Sequence, residues 1–347
     1  MSEMIQPRRN NIRRQSLATA SAFALFAACG AQNAKAEDGA DTPLVWIELG
    51  GQFETVNDGQ SIYDVPSALS PPPSFEVRAP ADLQHGPRLG WDGDASLTLD
   101  LPDSDWVLSA AVRYGRALRS KTDHQQPKPF FYTSSEGYAF GPFAFYQASA
   151  RTLSTHLIAD FRAGRDVGLG MFGFAGNSVF SLGVRYADFD SNTDTMLSSI
   201  PNLGGGKIFH ATSHMQHAFT GLGPSISWDA SAQIFGRHPE AGSIWLDWGA
   251  DAAILFGKQS TKGSHRTGGY VMSHYYHTTP ISRRHTRSVP NVGSYAAIAY
   301  RLGDVKISLG YRADLFFGAV DGGIDTPQNF DRGFYGPFAS ISVGIGG

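Results

Sequence analysis

The feature that most constrains this chain is an alternation of apolar and polar residues with period two. In the first such segment, Val45, Ile47 and Leu49 are apolar and Glu48 is polar. Successive side chains of a β-strand point to opposite faces, so the pattern gives a strand one apolar face and one polar face. Ten segments between positions 45 and 345 repeat it. Each has about ten residues, the length with which a tilted strand crosses a bilayer.

The polar faces of these segments differ from those of a soluble sheet. A soluble sandwich usually shows water a face rich in Lys and Glu, whereas these positions hold Gly, Ala and Ser with scattered Arg and Asp. That mixture is typical of a barrel lumen whose other face meets lipid. Aromatic residues at segment ends, among them Trp46, Trp106, Trp245 and Tyr335, are predicted to form belts at the membrane surfaces.

Connections between the segments alternate in length, as they do when tight turns lie on one side of a barrel and external loops on the other. Short gaps such as 102–104 and 303–304 separate long ones. The long gaps are 57–91, 118–152, 189–216 and 258–291. The prediction is therefore an all-β fold, a transmembrane antiparallel up-and-down β-barrel of ten strands. Twelve strands remain an alternative if residues 138–145 pair as an additional hairpin.

Residues 1–36 have the order of a secretory signal peptide. Four arginines between positions 8 and 14 precede an apolar stretch at 17–29, and Ala34-Lys35-Ala36 supplies small residues at a cleavage site. We expect 1–36 to be removed and 37–347 to form the barrel domain with long extracellular loops. Two other interpretations stay open: Phe26-Ala27-Ala28-Cys29 would make Cys29 a lipidation site, and Arg13-Arg14 resembles a twin-arginine signal.

Composition excludes several classes of protein. Charged residues make up 17% of the chain and aromatic residues 12%, which excludes disorder over most of its length. A single Cys excludes a disulfide scaffold. The net charge of −3, without a basic cluster after Arg14, gives no electrostatic surface for nucleic acid. No apolar run approaches the ~18 residues of a membrane-spanning helix.

Charged residues on the predicted lumen face are the candidate pore-lining residues. They could bias the passage of ions. Alternatively they pair with one another and fill a narrow barrel, because unpaired charge in a confined lumen is costly. Substitution of Arg185 by Ala is expected mainly to alter selectivity. The candidates are Glu48, Asp94, Arg113, Asp160, Arg162, Arg185, Asp229, Asp247, Asp251, Arg301, Arg312 and Asp314.

Histidines cluster in two predicted loops. His210, His214 and His217 have a spacing that would align three metal ligands on a helix, and His274, His277 and His285 lie in the second loop. No helix and no cysteine ligand supports the first set, so solvated loop histidines are the favoured interpretation and no metal site is predicted.

An enzyme site at the barrel rim is a further alternative. Asp188, Asp190 and His277 are rim candidates for a hydrolase of the kind that ten-stranded barrels can host. Nothing in their spacing requires them to converge, and the chain has no Gly-x-Ser-x-Gly motif. A functional claim must rest on a site, so the sequence favours a protein that is not an enzyme.

Short motifs in the second half resemble a known family, the Legionella-type major outer membrane proteins, which are pore-forming β-barrels. The motifs are Phe219-Thr220-Gly221-Leu222-Gly223-Pro224, Leu255-Phe256-Gly257, Gly310-Tyr311-Arg312-Ala313-Asp314 and Gly336-Pro337-Phe338. The resemblance extends in layout over roughly residues 40–347. It implies channel activity without a cofactor and insertion by the barrel-assembly machinery.

The expected function is thus a porin-like channel for small solutes or ions in the outer membrane of a Gram-negative cell, with the lipid bilayer and small solutes as partners. A closed structural or adhesive barrel is the first alternative and a rim hydrolase the second.

Overall fold

The structure is a computed structural model, and it describes residues 44–57, 88–102, 104–117, 120–125, 145–167, 176–199, 209–236, 242–269, 276–277, 281–322 and 329–346. The expected signal peptide, Cys29 and nearly all of the proposed extra hairpin at 138–145 lie outside these residues. Among the residues that are described, no helix has the length and apolar character of a membrane span.

The compact unit Pro43–Ile345 is a single antiparallel sheet closed into a barrel of ten strands, as predicted. Two short strands, β4 and β9, only extend the edges of β5 and β8. Around the ring the order is β1, β2, β3, β5, β6, β7, β8, β10, β11 and β12. The strands are β1 (Val45–Asn57), β2 (Arg88–Asp100), β3 (Trp106–Ala117), β4 (Ser120–Gln125), β5 (Phe145–Asp166), β6 (Gly176–Ser199), β7 (Phe209–Phe235), β8 (Ser243–Gly269), β9 (Tyr276–His277), β10 (Ile281–Leu302), β11 (Val305–Asp321) and β12 (Asn329–Ile345).

Pairing of the first strand with the last closes the ring. Val45 lies opposite Ile345 and Leu49 opposite Ile341, so the two strands meet with their apolar faces on the same side. Closure leaves no unpaired edge in the ring, which a sheet inside a bilayer cannot tolerate. At one end β10 and β11 are joined by the two-residue turn Gly303-Asp304, where Gly303 has φ of 58°. This end, which also holds the start of β1 and the end of β12, is called the short-turn end below.

The outer face of the barrel is an apolar belt. Leu182 on β6 exposes 63% of its surface and Leu309 on β11 exposes 67%, and large apolar side chains are exposed at alternate positions on the barrel strands around the ring. In water so large an apolar surface would be unfavourable, whereas in lipid it is stabilising. The inner face at the same level carries charged and small side chains such as Arg185 and Ser181, both buried. The predicted orientation of the two faces is therefore correct for the belt.

The two faces exchange character where the strands leave the belt. On β6 the outward positions change from Val184 and Tyr186 to Asp188 and Asp190, while the inward position between the two aspartates is Phe189, which is fully buried. Beyond this point water replaces lipid outside, so the inner face can form an ordinary apolar core. Within the belt the barrel thus has its apolar side chains outside, and beyond the belt it has them inside, as a water-soluble protein does.

Several strands continue far beyond the belt, and the predicted loop lengths are wrong there. The predicted loop 189–216 is mostly strand, because β6 runs to Ser199 and β7 begins at Phe209. The predicted loop 258–291 is reduced in the same way by β8 and β10. The reason is compositional: in these extensions both faces are polar, as in Asp190 to Thr195, so hydrophobic alternation does not mark them. We call the extended parts of β5, β6, β7, β8 and β10 the projecting wall.

Two of the predicted belt aromatics face inward instead. Trp46 has the parity of Glu48 and Gln52 on the lumen face of β1, and the guanidinium of Arg301 stacks over its ring at 4.9 Å. Trp245 shares the parity of the buried Asp247 on β8 and donates a hydrogen bond to Ser243 Oγ. Trp106 and Tyr114 on β3 are exposed outward, as belt residues should be.

The position of the apolar belt predicts where a charged substitution should lower the free energy of unfolding. Leu182→Arg places a guanidinium at the middle of the lipid-facing surface, so we expect it to lower the free energy of unfolding by about 2–4 kcal/mol. Met196→Arg is the matched control, because Met196 lies on the same face of β6 but beyond the belt, and is expected to cost far less. Denaturant titration of the protein in lipid vesicles measures both, and equal losses would contradict the position of the belt.

Candidate functional site

Arg185 on β6 is the centre of a network of polar contacts in the lumen. Its Nε and Nη2 donate to the two carboxylate oxygens of Asp160 on β5, at 2.8 and 3.0 Å, and its Nη1 contacts Asp251 on β8 and Asn291 on β10. A bidentate guanidinium–carboxylate pair is among the strongest polar contacts in proteins. The side chain is only 3% exposed, so these contacts replace its hydration almost completely.

Arg113 on β3 forms the second inner pair and reaches across the ring. Its Nη1 donates to Asp314 Oδ2 on β11 at 2.7 Å, and its Nε lies 3.6 Å from Asp92 Oδ2. β3 and β11 are four strands apart in a ring of ten, so this side chain spans the lumen instead of lining it. Both partners are buried.

Toward the short-turn end most of the remaining charges are also paired. Arg162 lies 3.1 Å from Asp160 and 3.9 Å from Asp229, which accepts a hydrogen bond from the Tyr295 hydroxyl at 3.1 Å. The other contacts are Lys306 with Asp247 at 3.1 Å, Ser342 with Glu48 at 3.0 Å, Arg312 with Asp94 at 3.7 Å, and Arg301 with the Gly303 carbonyl oxygen at 3.3 Å. Arg162, Lys306 and Arg312 therefore each have a carboxylate within 4.0 Å, whereas Glu48 and Arg301 contact neutral groups.

At the outer edge of the belt four phenylalanines fill the lumen: Phe189, Phe219, Phe316 and Phe334, which we call the phenylalanine plug. The Phe189 ring packs edge-on against Phe316, with 4.8 Å between centroids. Its centroid lies 5.6 Å from that of Phe334. Arg332 stacks over Phe189 and Phe334, at 5.4 and 5.5 Å. Each of the four side chains exposes no more than 1% of its surface.

The plug bridges opposite walls of the barrel. Phe189 lies on β6 and Phe334 on β12, and these strands are five positions apart in a ring of ten, which is diametrically opposite. A direct ring contact between such strands places aromatic side chains across the middle of the lumen. Together, the plug and the paired charges of Arg113 and Arg185 occupy the lumen at consecutive levels.

The twelve predicted lumen residues all lie on the inner face by strand parity, and contacts join most of them. Their role in solute passage stays a prediction. Sequence reasoning missed the inward residues at the outer level, namely Glu54, Asp92, His156, Phe189, Phe316, Arg332 and Phe334. A signal was present: Glu54 is in phase with Glu48, Asp92 with Asp94, His156 with Asp160, and Phe189 with Arg185.

The histidine prediction is wrong in its location. His210, His214 and His217 lie in β7 and not in a loop. Side chains alternate along a strand, so His214 faces outward, where Nδ1 lies 2.7 Å from Asp194, while His217 faces inward and is buried. His285 lies in β10, with Nε2 2.7 Å from Gln259 Oε1. His274 is outside the described residues.

The rim residues proposed for a hydrolase do not converge. Asp188 and Asp190 project from the outer face of β6, where Thr220 donates to Asp188 and Gln216 to Asp190. Partial burial raises the pKa of Asp188 above its usual value. In register, Asp190 is level with Ser260 of β8, whereas His277 pairs with Arg266. Six residues of strand separate these levels by about 20 Å.

Comparisons with known proteins assign no family to the chain. No protein-family model and no curated protein matches the chain. Among solved structures, the translocator domain of the autotransporter NalP from Neisseria meningitidis is 9% identical, with 94% of this chain and 95% of that one covered and a TM-score of 0.29. The TodX deltaS2S3 mutant, a monoaromatic hydrocarbon channel, is 9% identical over 88% and 91%, with a TM-score of 0.28.

The transport unit of the autotransporter AIDA-I from Escherichia coli is 8% identical over 94% of this chain and 97% of its own, with a TM-score of 0.27. Similarity at this level carries no argument about architecture, which rests on the strand pairing of this chain itself. Identities and scores this low transfer no function, so any function must be argued from the lumen and the wall of this chain.

The burial of Arg185 changes what its removal should do. Arg185→Ala leaves Asp160 and Asp251, which are only partly exposed, without the buried guanidinium they share, and Asp160 then has only Arg162. We therefore expect a loss of about 3 kcal/mol in the free energy of unfolding, at the lower end for a broken buried pair, and not merely altered selectivity. The control is Arg165→Ala at the exposed Arg165–Asp105 pair, which should cost no more than about 1 kcal/mol. Equilibrium unfolding in detergent compares the two. Equal costs would contradict a buried network.

Proposed function

We propose that the protein is an outer-membrane β-barrel that is closed to solutes at rest and has a structural or adhesive role, presenting its projecting wall outside the cell. The observation that carries the proposal is the contact between Phe189 and Phe334 across opposite strands. An open porin requires a continuous aqueous lumen. Here the lumen is crossed by the plug and, one level further in, by the Arg113–Asp314 pair.

The projecting wall supports the adhesive part of the proposal. β7 and β8 have 27 residues each, whereas about ten suffice to cross a bilayer. The stretch of β7 before Leu222 corresponds to roughly 40 Å of strand. Its outward side chains include His214, Gln216 and Thr220, which suit contact with water and polar partners. β1, β2 and β3 are only 12 or 13 residues long, so the wall rises on one side of the ring.

A porin-like channel for small solutes or ions is the second candidate. The charged lining favours it, because five arginines and seven acidic residues lie on the inner face by strand parity, where charged side chains can bias the passage of ions. The family resemblance implies the same activity. For this candidate the phenylalanine plug must move during conduction.

Conductance in planar bilayers separates the two candidates. We expect the folded wild-type protein to give no discrete current steps at a load where a reference porin conducts. The plug variant Phe189→Ala/Phe334→Ala is compared with Phe161→Ala, whose ring is exposed on the outer face of β5. Steps in the plug variant alone identify the plug as the barrier and support closure. Steps in the wild type, more frequent in the plug variant and unchanged in Phe161→Ala, would establish the channel.

Chemical labelling tests the projecting wall. The chain has one Cys, at position 29, which can be replaced by Ser. In that background we expect His214→Cys, exposed on the wall, to react with a membrane-impermeant maleimide on intact cells. Leu182→Cys, on the lipid-facing belt, should stay unlabelled until the membrane is dissolved. Protection of His214→Cys on intact cells would contradict an external wall.

A further inference from the structure

Three potential metal ligands from three strands converge in the lumen at the level of the plug. Glu54 of β1, Asp92 of β2 and His156 of β5 each offer one donor atom, and these atoms lie within 4.8 Å of one another. β5 is separated from β2 by β3 in the ring, so the three ligands are brought together by the curvature of the closed barrel. We call them the Glu54 cluster.

The polar atoms of this cluster are buried without hydrogen-bond partners among the described residues. Glu54 is 0% exposed, and neither carboxylate oxygen has a hydrogen bond. Asp92 Oδ2 and His156 Nε2 are unsatisfied in the same way. The contacts within the cluster are 3.6 Å from His156 Nδ1 to Glu54 and 3.9 Å from Nε2 to Asp92, too long for hydrogen bonds. Arg113 Nε is 3.6 Å from Asp92 Oδ2, equally long.

Such an arrangement costs free energy unless another group completes it. A buried unsatisfied polar atom costs on the order of 1–3 kcal/mol, and more when it is charged. Glu54, Asp92 and His156 contribute four such atoms, and one ligand atom from each residue lies within 4.8 Å of the other two. Because buried polar atoms are normally satisfied, three unsatisfied carboxylate oxygens beside an unsatisfied imidazole nitrogen indicate a missing partner with positive charge.

The surroundings hold the three side chains in place. The backbone N–H of Gln52 donates to Asp92 Oδ1 at 2.9 Å, which leaves Oδ2 directed at the cluster. The His156 ring packs on Phe334, 4.1 Å between centroids. Gly115 of β3 leaves the space that the ring occupies, since a Cβ there would lie 2.2 Å from His156 Cε1. Metal ligands are commonly oriented by outer contacts of this kind.

We propose that Glu54, Asp92 and His156 bind one divalent transition-metal ion, with zinc as the best match. An imidazole together with carboxylates suits zinc and its neighbours, whereas calcium and magnesium prefer oxygen ligands alone. Tetrahedral donors at zinc bond lengths lie roughly 3.4 Å apart, so donor atoms within 4.8 Å of one another need to close by at most about 1.4 Å. The two carboxylates balance the charge of the ion, because the nearby Arg113 guanidinium is itself paired with Asp314.

A bound ion would cross-link strands of the barrel through their inward side chains. It links β1, β2 and β5, which lie within four consecutive positions of the ring, and through His156 it fixes Phe334 of the plug. A ligand that binds only the folded state raises the stability of that state. The site is thus a structural cross-link, and it does not depend on whether the barrel conducts.

Zinc titration of the untagged, detergent-folded full chain tests the proposal. After removal of metal with a chelator, we expect one zinc ion to bind per chain by calorimetry and elemental analysis, and the midpoint of thermal unfolding on heat-modifiability gels to rise. Glu54→Gln and Asp92→Asn keep the shape of the side chains and should each weaken binding at least tenfold. Asp92→Asn retains the acceptor for Gln52 N–H, so it should fold even if Glu54→Gln does not.

Two control variants separate the cluster from other zinc ligands. His214→Ala removes an exposed histidine on the projecting wall and should bind zinc as the wild type does. Gly115→Ala removes no ligand but displaces the His156 ring, so it should weaken binding. Gly93→Ala on the adjacent strand is its match, because a Cβ there meets no atom closer than 4.0 Å, and should leave binding unchanged.

Three results would overturn the proposal. One is a metal-free wild type that takes up no zinc while remaining folded. Another is zinc binding that survives both Glu54→Gln and Asp92→Asn. The third is calcium binding as tightly as zinc, which would mean that the imidazole is not a ligand. Cobalt substitution gives an independent readout, since a visible absorption band that depends on His156 reports a nitrogen ligand directly.

Discussion

Everything in this barrel depends on which medium each face of the sheet meets. Within the belt, lipid outside requires apolar side chains such as Leu182 to face outward, and the lumen receives the polar ones. Beyond Tyr186 water lies outside, the outward positions become Asp188 and Asp190, and Phe189 can turn the lumen into an apolar core. One continuous strand therefore has an apolar outer face and a polar inner face within the belt, and a polar outer face and an apolar inner face just beyond it.

That exchange explains why the lumen has two kinds of filling. At the level of the belt the inward residues are charged, and they avoid the cost of burial by pairing, as Arg185 does with Asp160 and Asp251. At the outer edge the filling is aromatic, and it needs no such compensation. The Glu54 cluster lies where the two fillings meet: His156 packs on Phe334, while Glu54 and Asp92 belong to the charged set. It is there that polar atoms remain unsatisfied.

Closure of the lumen and extension of the wall point to the same kind of function. Side chains carried by rigid strands form the constriction, and contacts such as Phe189–Phe334 and Arg113–Asp314 join nearly opposite sides of the ring. The greatest extent of polar surface is on the projecting wall, where β7 and β8 continue well beyond the belt. Both features support the proposed structural or adhesive role, in which the interior stabilises the barrel and the projecting wall contacts the surroundings.

The sequence by itself favoured ten barrel strands over the alternative of twelve, and it determined the two faces of each alternating segment and the two-residue turn at Gly303-Asp304, because period-two alternation and turn residues are local signals that a bilayer makes strict. It did not determine where the strands end, since β6 between Asp190 and Thr195 is polar on both faces. Nor did it determine partners. Parity places Arg113 and Asp314 in the lumen, but they are 201 residues apart in the chain, and only closure of the ring brings them to 2.7 Å. The sequence pattern also assigns Glu54, Asp92 and His156 to the inner face. The curvature of the closed sheet then brings their side chains together.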